Sequence, residues 1–182
     1  MVSLFDAHRD DLPESKPHET EALPAAVVKR AHGEKLRICD VLEEIADSLP
    51  DKVDRLKCIG VASALLPLLR SVHQYEEQVL FPAYEAAASR SSGQRSSIHR
   101  LRAEHLEDEC FADEVTEVLM AIGHGQAVEN PEAVGFMLRG LFETIRRHIA
   151  FESEHILAIV ESAGEVRARE LQAKPGSTFG AG

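Results

Sequence analysis

His73, His105 and His148 are each followed four residues later by a glutamate: Glu77, Glu109 and Glu152. A fourth histidine, His32, lies in a similarly apolar stretch. On an α-helix, residues four apart share one face, about 5–6 Å apart at Cβ. Such a pair brings an imidazole and a carboxylate within reach of one cation; alternatively, the carboxylate reaches past that ion to a second. One pair alone is a weak signal, because it equally describes a surface hydrogen bond. A lone histidine on an apolar face is more often a hydrogen-bonded core residue. The repetition carries the argument. Burying four imidazoles and two or three carboxylates in one core without a cation would cost several kcal/mol each, and a metal ion removes that objection.

The elements that must position these residues read as four helices. The first starts near Pro24 and ends near Leu49, with Val28, His32, Cys39, Leu42, Ile45 and Leu49 recurring at 3–4 spacing. The second runs from about Asp54 to Ser89 on a face of Leu66, Leu69, His73, Glu77, Leu80 and Tyr84, with Pro67 and Pro82 expected to bend or split it. The third starts at Ser96 or Ser97, turns Ile98, Leu101, His105, Ala112, Val115 and Leu119 inward, and stops at Gly123–Gly125. The fourth has Asn130 as N-cap and Pro131 at its first position. Its face is Val134, Leu138, Leu141, Ile145, His148, Glu152 and Ile159, and it stops near Gly164. No segment alternates like a strand. The expected fold class is all-α, an antiparallel up-down-up-down four-helix bundle.

In such a bundle, residues facing one point lie equally far from the turn that joins their helices. His32 lies 17 residues before Leu49 and His73 lies 19 after Asp54; His105 lies 18 before Gly123 and His148 lies 17 after Pro131. Both comparisons agree within about 3 Å. His73 lies 16 before Ser89 but His105 only 9 after Ser96, a mismatch of about 10 Å.

Imidazole with carboxylate, and no positioned thiolate, suits iron. Four histidines and two bridging glutamates give about eight coordination bonds, two octahedral ions want about twelve, and a solvent bridge supplies roughly two. The remaining places suit dioxygen, peroxide or nitric oxide.

His32, "HQYEEQVLFP" with His73 and Glu77, His105, and "HIAFE" with His148 and Glu152 together resemble the hemerythrin-like HHE cation-binding domain family. The likeness covers about residues 24–163. It implies a non-haem diiron centre, oxo- or hydroxo-bridged, in which Glu77 and Glu152 bridge the irons. It further implies that His32 and His73 bind one iron and that His105 and His148 bind the other. Oxygen-carrying hemerythrins have a fifth histidine where this chain has Glu109, and end on H-x4-D where it has Ser153. Glu109, four after His105, is expected to bind the same iron as His105, and an anionic carboxylate in place of an imidazole favours ferric iron, which weighs against reversible oxygen carriage. The expected function is binding or sensing of dioxygen, nitric oxide or peroxide. A diiron oxidoreductase or ferroxidase-like iron handler is the alternative, and a metal-free helical interaction module is the third. Whether a substrate is turned over, and what protein partner is engaged, is left open.

The remaining features bound these readings. The 182 residues suit one domain with tails: a polar N-terminal arm at 1–23, the bundle at 24–163, and a flexible C-terminal tail with a short helical extension at 164–182. Hydrophobic residues are 44% and charged ones 28%, the balance of a soluble globular protein. A net charge of -11 argues against nucleic acid and against an anionic membrane surface. Three cysteines without a CxxC argue for reduced thiols and a cytoplasmic location. The longest apolar run, "CIGVASALLPLL", is short of a membrane span. His155 is expected at the rim of the site. Glu76 and Glu154 are expected in solvent, and His8, His18, His99 and His124 on the surface. Tyr75 and Tyr84 are expected to pack; donation of a hydrogen bond from either hydroxyl to the site's outer partners is the alternative.

Overall fold

The computed structural model describes residues 24–88 and 96–173. Among these, every regular element is helical. α1 spans Pro24–Ser48 and α2 spans Arg55–Tyr75; a π turn at Glu76–Leu80 leads into α3, Phe81–Ala88. α4 is Ser96–Gly123 and α5 is Pro131–Glu152; a second π turn at Ser153–Leu157 leads into α6, Ala158–Gln172. Each π turn is a widening within a continuous helix, so α2–α3 and α5–α6 each form one long rod. The expected arm at 1–23, most of the Ser-Gly linker and the end of the tail lie outside the described residues.

The helix ends have local causes. The Asp54 side chain accepts the backbone N–H groups of Leu56 and Lys57 at the start of α2. Asn130 accepts the N–H of Ala133 ahead of Pro131. α4 ends where Gly125 takes φ 90°, a conformation that suits glycine, and donates to the Ile122 carbonyl. Two expectations about breaks need correction. α2 continues through Pro67 without a break, and the interruption is the π turn just before Pro82. The Phe81 N–H reaches back five residues to the Glu76 carbonyl; Pro82 has no N–H to continue the ordinary ladder. The last helix passes Gly164 and ends at Gln172. One helical glycine costs about 1 kcal/mol, which the surrounding Ala, Glu and Arg residues tolerate.

α2 packs on α4, α1 on α5, and α1 also touches α2. Ion pairs Lys29–Glu161, Asp40–Arg146 and Asp47–Arg139 join α1 to the last helix, the partner number falling as the α1 number rises. These pairs are exposed or partly so, and each contributes about 0–1 kcal/mol. The interior does the rest, in two apolar clusters. The larger holds Cys39, Leu42, Ile45, Leu65, Leu69, Val115, Leu119, Leu138, Leu141 and Ile145 with their neighbours. The smaller holds Val28, Leu80, Phe81, Tyr84, Ile98, Leu101, Ile156 and Leu157. Along each helix one buried polar step separates the two: His32 and Lys35, His73 and Glu76, His105 and Asp108, His148 and Glu152. The core is therefore cut by a polar layer. His73 and His105 belong to one level of it, with ring centroids 4.0 Å apart, so the mismatch in their distances from the linker does not offset them.

The rod Arg55–Ala88 is long and apolar enough to cross a membrane by length and composition. Its apolar positions cover the larger cluster, and it delivers His73 and Glu76 to the polar layer.

Candidate metal centre

The polar layer has an inner and an outer ring. Glu76, His105, His148 and Glu152 are all buried, and each offers one ligand atom such that the four lie within 4.8 Å of one another. Glu76 Oε2 lies 3.3 Å from His105 Nε2, and His148 Nε2 lies 3.6 Å from Glu152 Oε1. None of these four atoms has a hydrogen-bond partner among the described residues. Buried polar atoms are almost always paired, so four unpaired ones turned on one point fit a cation. Donors on opposite sides of an ion bonded at about 2.0–2.2 Å stand about 4 Å apart, close to the spread seen.

His32 joins from α1, with Nε2 3.0 Å from Glu152 Oε2 and 3.4 Å from Glu76 Oε1. Lys35, one turn along, places Nζ 3.3 Å from the same Glu76 Oε1 while only 2% exposed. His73 stacks on His105 with their planes 3° apart.

The outer ring orients the inner one. His73 Nδ1 donates to Glu109 Oε1 at 3.0 Å, and His105 Nδ1 donates to Glu77 Oε1 at 2.9 Å. The two contacts cross between α2–α3 and α4. A carboxylate can only accept, so each fixes its imidazole's proton on Nδ1 and leaves Nε2 with a lone pair. His148 Nδ1 lies 3.2 Å from Asp108 Oδ2, off the ring N–H direction, and His32 Nδ1 lies 3.5 Å from Ser153 Oγ. Arg70 braces Glu109 from solvent at 3.4 Å.

This arrangement corrects two expectations. Glu76, expected in solvent, is fully buried in the inner ring, while Glu77, expected inside, is half-exposed on the outer face. The positions three and four after His73 flank the same helical direction, so periodicity alone does not choose between them. Glu76 stands where the regular ladder gives way to the widened turn: its N–H still donates to the Val72 carbonyl, and its own carbonyl accepts from Phe81. Glu109 likewise reaches across to His73 rather than joining its own helix neighbour His105 at the centre. His105, His148 and Glu152 do converge, with His32 and His73 against them. Lys35 and Asp108 were missed. Their signals were present, since Lys35 falls in the 28–32–35–39–42 stripe and Asp108 lies three after His105. His155 is half-exposed and leans on Phe151, with ring centroids 4.6 Å apart. His99 and His124 are on the surface. Cys39 and Cys58 are buried away from the centre and Cys110 is exposed; burial pushes the Cys39 thiol up to about 12.

Electrostatics divides the ring. Burial would raise the Glu76 carboxyl, but Lys35 and the close His105 and His32 rings hold it well below the usual range. Burial likewise opposes ionisation of Glu152, and His148 and His32 overcome it. Burial, His105 and Lys35 drive His73 down to about 2. His148 goes the other way: burial lowers it, but Asp108 and Glu152 win and raise it to about 9.

A cation on His148 Nε2 must displace that ring's proton. Metal affinity should therefore rise about tenfold per pH unit up to about pH 9 and level off above it. The stability of the ion-free fold runs opposite for this residue. Its contribution is fully present below pH 6.5, the ordinary histidine value, and is lost as pH climbs through about 9. Co(II) titrations against a competing chelator between pH 6.5 and 9.5 test this; an affinity flat over pH 7–9 would show that no proton is displaced.

The family model described as Hemerythrin HHE cation binding domain matches residues 23–160 of the chain. The comparisons with curated proteins and with solved structures find no match.

Proposed function

The chain belongs to the hemerythrin HHE cation binding domain family, and from that premise we propose an iron centre that binds or senses a small ligand: dioxygen, nitric oxide or peroxide. The observation that carries the metal is the set of four buried, unpartnered atoms of Glu76, His105, His148 and Glu152. The donors are nitrogen and oxygen with no thiolate among them, which suits iron. The ion would supply a place for the small ligand. The protein supplies the rest: outer carboxylates that aim the imidazoles, and apolar clusters on both sides that seal the layer. The family resemblance implies two irons, which would need both oxygens of Glu76 and of Glu152; one of these, Glu76 Oε1, already accepts from Lys35. The antiparallel up-down-up-down arrangement belongs to the same reading, supported by the opposed numbering of the α1 ion pairs. So does a cytoplasmic setting with reduced thiols.

The test is metal analysis of protein purified from iron-fed cells, followed by anaerobic addition of nitric oxide to the ferrous form. Stoichiometric iron and a new visible absorption are expected. Protein that retains no iron under those conditions would sink the reading. Catalytic consumption of peroxide or of ferrous ion would move it to the oxidoreductase alternative.

A further inference from the structure

The two sides of the inner ring are chemically unlike. On one side, Glu76 Oε2, His105 Nε2, His148 Nε2 and Glu152 Oε1 face one another unpartnered. On the other side lie Glu76 Oε1, Glu152 Oε2 and His32 Nε2, and every one of these is engaged. His32 Nε2 pairs with Glu152 Oε2 at 3.0 Å, and Lys35 Nζ donates to Glu76 Oε1 at 3.3 Å. Lys35 is buried to 2% exposure in a layer whose other members are imidazoles and carboxylates. A lysine is almost never fully buried unless its charge is answered, and here Glu76 answers it.

We propose that Lys35 stands in for a second metal ion. The inference rests on the metal-binding reading above and gives it a stoichiometry. One ion binds on Glu76 Oε2, His105, His148 and Glu152 Oε1. The second position, on Glu76 Oε1, Glu152 Oε2 and His32, is closed by the Lys35 side chain. The obstacle is local rather than a matter of net charge. An ion bonded to Glu76 Oε1 at about 2 Å would sit on the oxygen that Lys35 holds, beside its positive charge. A lysine cannot coordinate through a nitrogen that bears three protons. Lys35 therefore acts on the ion through Glu76, as a positioning residue: it fills one oxygen and leaves the other for the metal.

The experiment titrates the ion-free full chain with Co(II) under anaerobic conditions. Bound ions are counted by mass analysis after gel filtration, and thermal melting is followed in parallel. The parent should saturate at one Co(II) per chain, and so should Lys35→Arg, which keeps the charge. Lys35→Met should saturate at two. If Lys35→Met unfolds when ion-free, refolding it in excess Co(II) yields the same count. Two ions of equal affinity in the parent would overturn the inference and leave the metal-binding reading standing, as would a Lys35→Met variant that still saturates at one. A parent that binds none would overturn both.

Discussion

Glu76→Gln should abolish tight metal binding, lowering affinity by more than a hundredfold, whereas Glu77→Gln, one residue on, should keep the ion and lose about tenfold to a hundredfold. The contrast follows from where each carboxylate lies. Glu76 is fully buried and presents Oε2 to His105 with no other partner. An amide there removes the anion that the cation needs. Glu77 is half-exposed and touches the far nitrogen of His105. Its loss frees the ring to turn or to change tautomer, which is the magnitude usual for outer carboxylates on metal-bound histidines. Glu76→Gln also strands Lys35. Removing one partner of a buried ion pair costs about 3–5 kcal/mol, so helicity should be checked at low temperature before the metal is measured. Adding Lys35→Met to Glu76→Gln should recover much of that stability without restoring the metal. The measurement is a competitive chelator titration on each variant. Equal losses at 76 and 77 would mean that both carboxylates meet the ion, and the inner and outer assignment would fall.

The same pair of residues shows how far the sequence could be read. The four helices, their apolar faces and one histidine per helix follow from a 3–4 period, because helical geometry maps spacing onto direction. Nearly all the expected core positions are buried, from Val28 and Leu42 on α1 to Leu138 and Ile145 on α5. Spacing does not resolve a difference of one residue when both candidates flank the same direction. The choice rests on partners from other helices: Glu76 meets His32 and Lys35 of α1 and His105 of α4, whereas Glu77 meets the outer nitrogen of His105. Lys35 shows a different limit. Its place in the α1 stripe is plain, but a lysine is almost never fully buried unless its charge is answered. Glu76, brought from 41 positions away, supplies the countercharge that lets it stay inside. The i+4 spacing pairs Glu109 with His105 on its own helix, whereas its partner His73 lies on another. In each case the missing information was a contact between helices, which one helix's periodicity does not contain.

Phe81→Ala should cost the fold about 3–5 kcal/mol, while Phe136→Ala should change stability by no more than about 0.5 kcal/mol. The two residues share a side chain and differ in surroundings. Phe136 is 81% exposed on α5; Phe81 is fully buried at the start of α3. Phe81 fills the smaller cluster with Leu80, Tyr84, Ile98 and Leu101, and its ring stacks on His105 at 5.5 Å between centroids. It thus forms the apolar cover on one side of the polar layer. Truncation removes the ring's transfer free energy and leaves a cavity that four helical walls can close only in part. The second consequence is at the centre. A cavity beside His105 has imidazole and carboxylate on one wall, so it is polar enough to take water. The dry surroundings that set the strength of the inner-ring contacts would then be lost. Metal release from Phe81→Ala should therefore be faster than from the parent, while Phe136→Ala releases at the parental rate. Chemical denaturation gives the stability difference, and chelator-driven release followed in time gives the second. If Phe81→Ala proves as stable as Phe136→Ala, the smaller cluster does not hold this end of the fold. If it is destabilised but releases metal at the parental rate, the seal over His105 is provided by other residues.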